Sequence, residues 1–269
     1  MKSKITNIIT KFSFATKGGI SSHNPFKVNQ DAYITSPHIM GLRHCHFFSV
    51  CDGHGSNGRE VSSLLKHRLP LCVEKNLQMQ LEGHDLSQFP PYQNVKQALF
   101  KGFEQANNEV CNMGTDVRFS GSTCVSVMTY GKHLYIANVG DSRAIIVRHE
   151  NGDPSNYKTR ALTRDHKPCD PEEAKVILKA GGRIDSYRDN AGNKVGPERV
   201  WLKTEDIPGL AMSRSFGDKV ASMVGVNAVP EIGELRMTPE DKFIILASDG
   251  VWEFLENEDV ADIVHPFYL

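Results

Sequence analysis

Three short apolar runs in this chain each stop at an aspartate that lies beside a glycine. They cover residues 46–51, 134–139 and 243–248, and the aspartates that follow them are Asp52, Asp141 and Asp249. Unbroken apolar runs of this length are typical of buried strands, and Asp–Gly pairs are typical of the turns that end them. The pattern therefore predicts three buried strands, each with a carboxylate at one end.

The middle of the chain predicts how such strands are connected. Residues 122–129 are rich in β-branched side chains and alternate, residues 130–132 form a turn, and residues 133–139 and 143–148 follow as two more strands. Strands joined by loops this short must be antiparallel, because a parallel pair needs a crossover of about a dozen residues. The sequence therefore favours a sandwich of antiparallel sheets over a doubly wound α/β fold.

Helical periodicity interrupts these strands rather than alternating with them. We expect a helix over residues 57–69 that Pro70 ends, after which another helix could follow, and a long amphipathic helix over residues 93–111. Asp170 followed by Pro171 predicts the start of a further helix. The polar stretch of about residues 182–209 has neither period and is interpreted as a mobile surface flap.

Composition limits the classes of function. With 269 residues, 39% hydrophobic and 23% charged, we expect one soluble domain over residues 1–269. The net charge of −1 argues against nucleic acid as a partner. No run of 18 apolar residues occurs, so we expect no membrane insertion. Six cysteines without a CxxC pair suggest reduced thiols. We therefore expect a monomer in the cytoplasm, the nucleus or both.

The aspartates become informative when they are taken together. A single Asp–Gly pair is most often a structural turn. If the strands lie in facing sheets, however, their ends converge, and converging carboxylates repel one another unless cations lie between them. Oxygen ligands of this kind suit Mg²⁺ or Mn²⁺. Asp31, which precedes another β-prone stretch, is a fourth candidate ligand.

Eight short motifs extend this reading over most of the chain. They are Asn-Gln-Asp-Ala (29–32), Val-Cys-Asp-Gly-His-Gly (50–55), Gly-Ser-Thr (121–123), Val-Gly-Asp-Ser-Arg (139–143), Asp-His-Lys-Pro (165–168), Ala-Gly-Gly-Arg-Ile (180–184), Leu-Ala-Met-Ser-Arg-Ser-Phe-Gly-Asp (210–218) and Ala-Ser-Asp-Gly-Val-Trp (247–252). In this order they resemble the serial motifs of the metal-dependent type 2C serine/threonine protein phosphatases. The resemblance implies an α+β fold, in which two packed antiparallel β-sheets are flanked by helices in an α-β-β-α sandwich.

The resemblance also implies a centre of two Mg²⁺ or Mn²⁺ ions where the sheets meet at one edge. In this family's pattern Asp52 would bridge the two ions and the backbone carbonyl of Gly53 would be a ligand of one of them. Asp249 would hold the other ion, and Asp31 would act at the same centre, directly or through water. Such a pair of ions would make water attack phosphoserine or phosphothreonine of protein substrates, so no nucleophilic side chain is required.

Further residues take roles around this centre by the same resemblance. Thr123 and Asp141, with Asp249, would help to hold a third and weaker ion. Gln30 and Glu253 would lie outside the direct ligands. His54 would be the general acid that protonates the leaving oxygen, since an imidazole has an unperturbed pKa of about 6.5.

The chain departs from the family pattern at three places. Many members have an arginine five residues before Asp31, where this chain has Phe26 with Lys27 beside it. Lys27 would then contact the substrate phosphate as a point charge, or else be a solvated cation at the end of a strand. Glu253 replaces a common aspartate. The family's later Asp-Asn motif has no match before Leu269. We therefore expect either that the C-terminal strand or helix of the fold is missing from this chain, or that the chain is a divergent form with one incomplete metal site and an unpaired sheet edge.

Two other functions stay open at this level. The chain could be a catalytically impaired phosphatase-fold regulator that binds phosphoproteins or partners without turnover, since one metal-ligand motif and the arginine have no match. A metal-dependent nuclease also uses clustered acids, but the balanced charge and the lack of a basic stripe argue against it. Metal-dependent hydrolysis of phosphoproteins is the leading hypothesis.

Overall fold

The computed structural model describes residues 5–20 and 27–268. Its strands are β1 (Asp31–Pro37), β2 (Cys45–His54), β3 (Gly121–Ser122), β4 (Cys124–Tyr130), β5 (His133–Val139), β6 (Arg143–Glu150), β7 (Asp153–Ala161), β8 (Arg183–Arg188), β9 (Lys194–Trp201), β10 (Pro208–Leu210), β11 (Phe216–Gly217), β12 (Glu231–Arg236) and β13 (Asp241–Ala247). Its helices are α1 (Gly58–Gln80), α2 (Tyr92–Cys111), α3 (Pro171–Lys179), α4 (Lys219–Ser222), α5 (Asp249–Trp252) and α6 (Asn257–Tyr268).

The largest sheet has seven strands and carries the beginning of the candidate site. Its order is β11-β3-β2-β4-β5-β12, and β1 pairs with β2 as well. Every described pairing in it is antiparallel, and the turn between β4 and β5 joins an antiparallel pair as predicted. The expectation that β5 and β6 form a further antiparallel pair is wrong, because the turn after β5 carries the chain to a second sheet, where β6 pairs with β13 and β7. The register places Asp31 directly opposite Asp52.

A second antiparallel sheet, of order β13-β6-β7, packs against one face of the first. Val125 and Val127 of β4 share an apolar cluster with Ala144 of β6 and Ile244 of β13. Because side chains alternate along a strand, Cys124 and the other residues of β4 on the opposite face pack into a different cluster. The two faces of β4 therefore belong to two apolar cores, one between the two sheets and one between the larger sheet and its helices.

Helices cover the outer face of each sheet. The long helices α1 and α2 pack on the seven-stranded sheet, where Val61, Leu65 and Phe103 are fully buried. On the smaller sheet, Trp252 of α5 and Val260 of α6 cluster with Ile145 of β6. The layers are thus helix, sheet, sheet and helix, and the predicted α-β-β-α sandwich is confirmed.

The expected end of the first helix at Pro70 is wrong, because α1 continues through this proline to Gln80. Proline lacks the N–H that would bond to the carbonyl of Lys66, which is costly inside a helix. On both sides of the proline, Leu69 and Val73 are fully buried in the core under the seven-stranded sheet. Packing on both sides of the proline therefore outweighs its local preference.

The stretch expected to be an irregular flap is instead a third antiparallel sheet, of order β10-β9-β8. Val200 of β9 packs with Ile177 of α3 and with Val224 in a small separate core. The alternating pattern was hidden because the end of β8 and the start of β9 are exposed, so that no buried face marks these strands there. The predicted mobility of this segment stays a prediction.

Near its end the chain forms α6, which follows α5 on the outer side of the smaller sheet. Within residues 5–20 and 27–268, β13 pairs with β6 alone. Whether a further strand or helix belongs there stays a prediction. None of the described helices combines the length and the apolarity that a membrane span requires.

Candidate active site

The fold brings together three aspartates that are far apart in the sequence. Asp31 and Asp52 are partners across β1 and β2, and Asp249 is the first residue of α5, directly after β13. The carboxyl groups of Asp31 and Asp249 lie close enough to that of Asp52 for both of them to raise its pKa. Ser248 donates a 2.9 Å hydrogen bond to Oδ2 of Asp31, which links the two sheets at this edge. The expected convergence is therefore present.

This crowding changes the acid–base behaviour of Asp52. Burial, followed by the charges of Asp31 and Asp249, raises its pKa from 3.8 to about 9. A buried carboxyl beside two others keeps its proton at neutral pH unless a positive charge replaces it. Asp52 therefore lies at a position where a cation would be strongly favoured.

Gly53 is packed too closely for any other residue. A Cβ atom there would lie 2.3 Å from the carbonyl oxygen of Gly58 and 2.7 Å from that of Gln30. The Gln30 side chain donates a 2.8 Å hydrogen bond to the carbonyl of Gly55, and the Gln30 carbonyl accepts hydrogen bonds from Ser62 and from the N–H of Gly53. Gln30 thus fixes the path of the chain just after Asp52.

Thr123 lies in the break between β3 and β4 and is completely buried. Its Oγ1 accepts a 3.1 Å hydrogen bond from the N–H of Asp52, and its own N–H donates to the Asp52 carbonyl at 2.9 Å. The same hydroxyl lies 2.7 Å from that of Ser142. Because both partners use this oxygen, the structure supports Thr123 as a residue that positions Asp52. Its predicted role as a metal ligand stays a prediction.

Asp141 lies in the turn after β5 and is only 2% exposed. Its Oδ2 pairs with the ammonium group of Lys167, whereas its buried Oδ1 has no hydrogen-bond partner among the described residues. Burial raises the pKa of Asp141, although Lys167 opposes this effect. Lys167 also lies within electrostatic range of Asp249. Lys167 belongs to the Asp-His-Lys-Pro motif, which was identified in the sequence without any role being predicted for this lysine.

His54 is the last residue of β2 and contacts Asp218. The distance between Nε2 of His54 and Oδ2 of Asp218 is 2.6 Å. Burial by itself lowers the pKa of His54, but the charges of Asp218, Asp141 and Asp249 outweigh it, so the pKa is raised. Sequence reasoning missed Asp218, although its Ser-Phe-Gly-Asp segment was among the eight motifs.

The remaining predicted residues lie at the margin of the site. Lys27 is exposed, and among the residues that the structure describes its ammonium group forms no ion pair. Phe26, beside it, lies outside the described residues. Glu253 is exposed and ends α5, where its N–H bonds to the carbonyl of Asp249 at 2.7 Å. The roles predicted for Lys27 and Glu253 stay predictions.

The donor atoms fit a hard divalent cation in their chemistry. Over residues 5–20 and 27–268, no group of three or more His, Cys, Asp or Glu side chains is arranged so that it could hold a metal ion. These acids nevertheless offer only oxygen ligands. The raised pKa of Asp52 shows that the negative charge around it is not balanced by a positive one. The unpartnered buried Oδ1 of Asp141 is a further free acceptor. Asp31, Asp52, Asp249 and Asp141 therefore have the oxygen donors that Mg²⁺ or Mn²⁺ prefers, although their arrangement in this structure is not that of a metal site.

Comparison with known proteins identifies this arrangement. The family model described as Protein phosphatase 2C matches residues 18–268. The chain belongs to the protein phosphatase 2C family. This membership confirms the resemblance on which the eight motifs were interpreted. It also supports a protein phosphatase activity, as is general for the family.

Similar proteins agree with this membership. A probable protein phosphatase 2C 72 of Arabidopsis thaliana is 38% identical over 253 residues, which cover 92% of this chain and 72% of that protein. A probable protein phosphatase 2C 73 of Oryza sativa subsp. japonica is 35% identical, over 88% of this chain and 60% of that protein. This chain therefore spans about 60–72% of these two relatives.

Solved structures share the fold. The crystal structure of a serine-threonine phosphatase 2C from Toxoplasma gondii superposes with a TM-score of 0.77 at 24% identity, over 89% of this chain and 79% of that one. A C. elegans sex determining protein has a TM-score of 0.68 at 22% identity, over 89% of this chain and 53% of that one. At these identities the similarity concerns the fold alone.

Proposed function

We propose that this chain hydrolyses phosphoserine and phosphothreonine in proteins at a centre of two Mg²⁺ or Mn²⁺ ions, with a third ion near Asp141. The observation that carries this proposal is the crowding of Asp31 and Asp249 around Asp52, which raises the pKa of Asp52 to about 9. Clustered buried carboxylates with this much unbalanced charge are suited to cations. Membership in a protein phosphatase family supports phosphoproteins as the substrates.

Asp52, the carbonyl of Gly53, Asp249 and Asp31 would hold the two ions. When bound, such ions neutralise phosphate charge and make water a better nucleophile. Asp141 and Thr123 would contribute to the third ion, with Glu253 and Gln30 acting around the ligands.

The leaving oxygen of a phosphoserine needs a proton, because an alkoxide is a poor leaving group. His54 would donate this proton as the general acid. The closeness of its ring to Asp218, Asp141 and Asp249 favours the protonated form that this role needs.

Lys27 would contact the phosphate group of the substrate. It lies on the segment that leads into Asp31, where the side chain of Asn29 accepts a 3.0 Å hydrogen bond from the Asp31 N–H. Lys27→Ala is expected to raise KM for a phosphopeptide more than it lowers kcat. Lys17→Ala, an exposed lysine earlier on the same segment, is the control. An unchanged KM would leave Lys27 as a solvated cation.

The decisive experiment measures hydrolysis of a phosphoserine peptide and of p-nitrophenyl phosphate with Mn²⁺ or Mg²⁺. We expect turnover that EDTA abolishes and that Asp52→Asn lowers at least about a hundredfold. Asp262→Asn, at an exposed aspartate of α6, should not change the rate. Turnover that is insensitive to EDTA would contradict the proposal. Metal and phosphopeptide binding without turnover would instead support the phosphatase-fold regulator.

The wider setting of the chain is also proposed. We propose one domain over residues 1–269, a monomer, phosphoproteins as the only macromolecular partners and a place in the cytoplasm, the nucleus or both. The balanced charge supports the exclusion of nucleic acid, and the family match over residues 18–268 supports one domain. Sedimentation of the native protein tests the monomer.

A further inference from the structure

Only one nitrogen of the His54 ring has a hydrogen-bond partner among the described residues. Its Nε2 lies 2.6 Å from Oδ2 of Asp218, whereas its Nδ1 is buried and has no hydrogen-bond partner among the described residues. Reversing the ring would replace Nε2 with a carbon atom at the carboxylate and would lose this contact. The contact therefore specifies which nitrogen faces Asp218, because only an N–H can donate to a carboxylate.

Asp218 is itself rigidly placed for this contact. It is 2% exposed, and the hydroxyl of Ser215 donates a 2.6 Å hydrogen bond to the same Oδ2. Its N–H donates to the carbonyl of Ser120 at 3.0 Å. The backbone of Asp218 has a φ of 41°, which L-residues rarely adopt.

The carboxylate of Asp218 occupies space that is free only because residue 121 is a glycine. A Cβ atom on Gly121 would lie 2.2 Å from Oδ2 of Asp218, so the glycine of the Gly-Ser-Thr motif is needed for this carboxylate to reach His54. The carboxylate of this buried acid thus has two partners, the hydroxyl of Ser215 and the ring of His54, and the ring is the partner that belongs to the candidate site.

We infer that Asp218 is a positioning residue, whose carboxylate fixes the orientation of the His54 ring and keeps a proton on Nε2, the nitrogen that faces it. This inference rests on the proposed phosphatase function and adds to it the residue and the geometry that direct the acid. A histidine in a catalytic site commonly depends on such a partner, which selects one tautomer and one ring orientation.

In the proposed acid step the protonated His54 ring carries one proton on each nitrogen. As the bond between phosphorus and the seryl oxygen breaks, that oxygen takes the electron pair of the bond and receives one proton from the ring. The neutral ring keeps the other proton, which the contact with Asp218 holds on Nε2. Water later returns a proton to the ring.

Nitrogen-15 NMR of the Mg²⁺-loaded full chain tests the tautomer without measuring activity. We expect the neutral His54 ring to carry its proton on Nε2, with a downfield proton signal that Asp218→Ala removes. A ring protonated on Nδ1 and bare on Nε2 would overturn the inference.

Kinetics test whether Asp218 supports the general acid. The p-nitrophenolate group leaves without being protonated, whereas a seryl oxygen needs a proton in order to leave. Asp218→Ala should lower kcat at least about tenfold on a phosphoserine peptide, less than about threefold on p-nitrophenyl phosphate, and change KM little. Asp218→Asn, which keeps the size and an acceptor oxygen, should recover part of the loss. Asp262→Ala is the matched control at a surface aspartate.

The outcomes separate the two claims. If the wild-type chain hydrolyses neither substrate, the proposed function fails, while the NMR experiment still decides the tautomer. If the wild type is active and Asp218→Ala lowers kcat equally on both substrates, or lowers it on neither, the positioning role is wrong. If Asp218→Ala does not fold, Asp218→Asn and its ratio of rates on the two substrates give the answer.

Discussion

Asp31 and Asp52 face each other as direct partners in the antiparallel pair of β1 and β2. Side chains of opposed residues lie on the same side of such a pair, about 4.5–5.5 Å apart at Cβ, so like charges there repel. The carboxyl group of Asp249 reaches the same place from the other sheet. The sandwich thus concentrates negative charge where its two sheets meet, and this concentration costs stability unless a proton or a cation neutralises it.

The stability of the cation-free protein should therefore fall as pH rises. The pKa of Asp52 is about 9 in the folded chain and 3.8 as its ordinary value, so between these values the folded state holds a proton that the unfolded state has released. Urea unfolding in EDTA at pH 6.5, 7.25 and 8, above the range in which the buried His166 titrates, should show a decreasing free energy of unfolding. Mg²⁺ should protect most at pH 8, because it competes with that proton.

Asp52→Asn provides the control for this pH dependence. The amide keeps the shape of the side chain without its charge, so the cation-free variant should be more stable than the wild type at pH 8. The variant should also lose most of the protection by Mg²⁺. A wild-type chain whose stability without cations rises from pH 6.5 to pH 8, relative to that of Asp52→Asn, would contradict the predicted crowding.

Gly53→Ala should destabilise the protein, because the new methyl group would meet the backbone of Gly58 rather than a movable side chain. We expect a loss of about 1–3 kcal/mol in the free energy of unfolding, as is typical of overpacking. The measurement is urea unfolding of both proteins. Gly233→Ala in β12 is the matched control, since its Cβ would meet only Ile136 at 3.9 Å. Equal effects of the two substitutions would show that the packing at Gly53 does not matter.

Removing the ammonium group of Lys167 should leave Asp141 as a buried acid without an ion-pair partner. Lys167→Met is expected to cost about 1–3 kcal/mol of stability in the absence of divalent cations, within the range for breaking partly buried pairs. Adding Asp141→Asn should recover much of this loss, because the amide carries no charge. A double-mutant cycle measures the coupling, and a coupling near zero would mean that the pair contributes nothing.

His166 should make stability depend on pH in the opposite direction. Burial, together with the nearby charge of Arg214, lowers the pKa of His166 from 6.5 to about 4. Between these values the unfolded chain binds a proton that the folded chain does not, so stability is lost as pH falls from 6.5 to 4. This side chain is completely buried, and the expected contribution is at most about 3 kcal/mol.

The contribution of His166 can be isolated by comparison with His166→Gln, which has no ionisable group. The difference in unfolding free energy between wild type and variant should narrow as pH falls from 6.5 to 4. His67→Gln, at an exposed position of α1, is the control variant. A difference that is constant over this range would exclude the buried neutral imidazole.

Local pattern was sufficient for most of the secondary structure. The strands before Asp141 and Asp249 and the amphipathic helix α2 follow from the periodicity of apolar residues, which records which face of an element is buried. Pattern failed where tertiary contacts opposed it. Helix α1 passes through Pro70 because apolar residues on both sides of the proline are buried, and in the sheet of β8, β9 and β10 the exposed end of β8 and start of β9 hid the strands.

The amino-acid sequence by itself determined the family, the order of layers and the candidate acids. Eight different motifs occur in the order that is typical of the family, and the acids among them lie where apolar runs end. Tertiary structure alone decided which acids meet and what faces them. The contacts of Asp218 with His54 and of Lys167 with Asp141 join residues that are distant in the chain. Such contacts depend on the register between strands and on the packing of two sheets, and no local pattern records either of them.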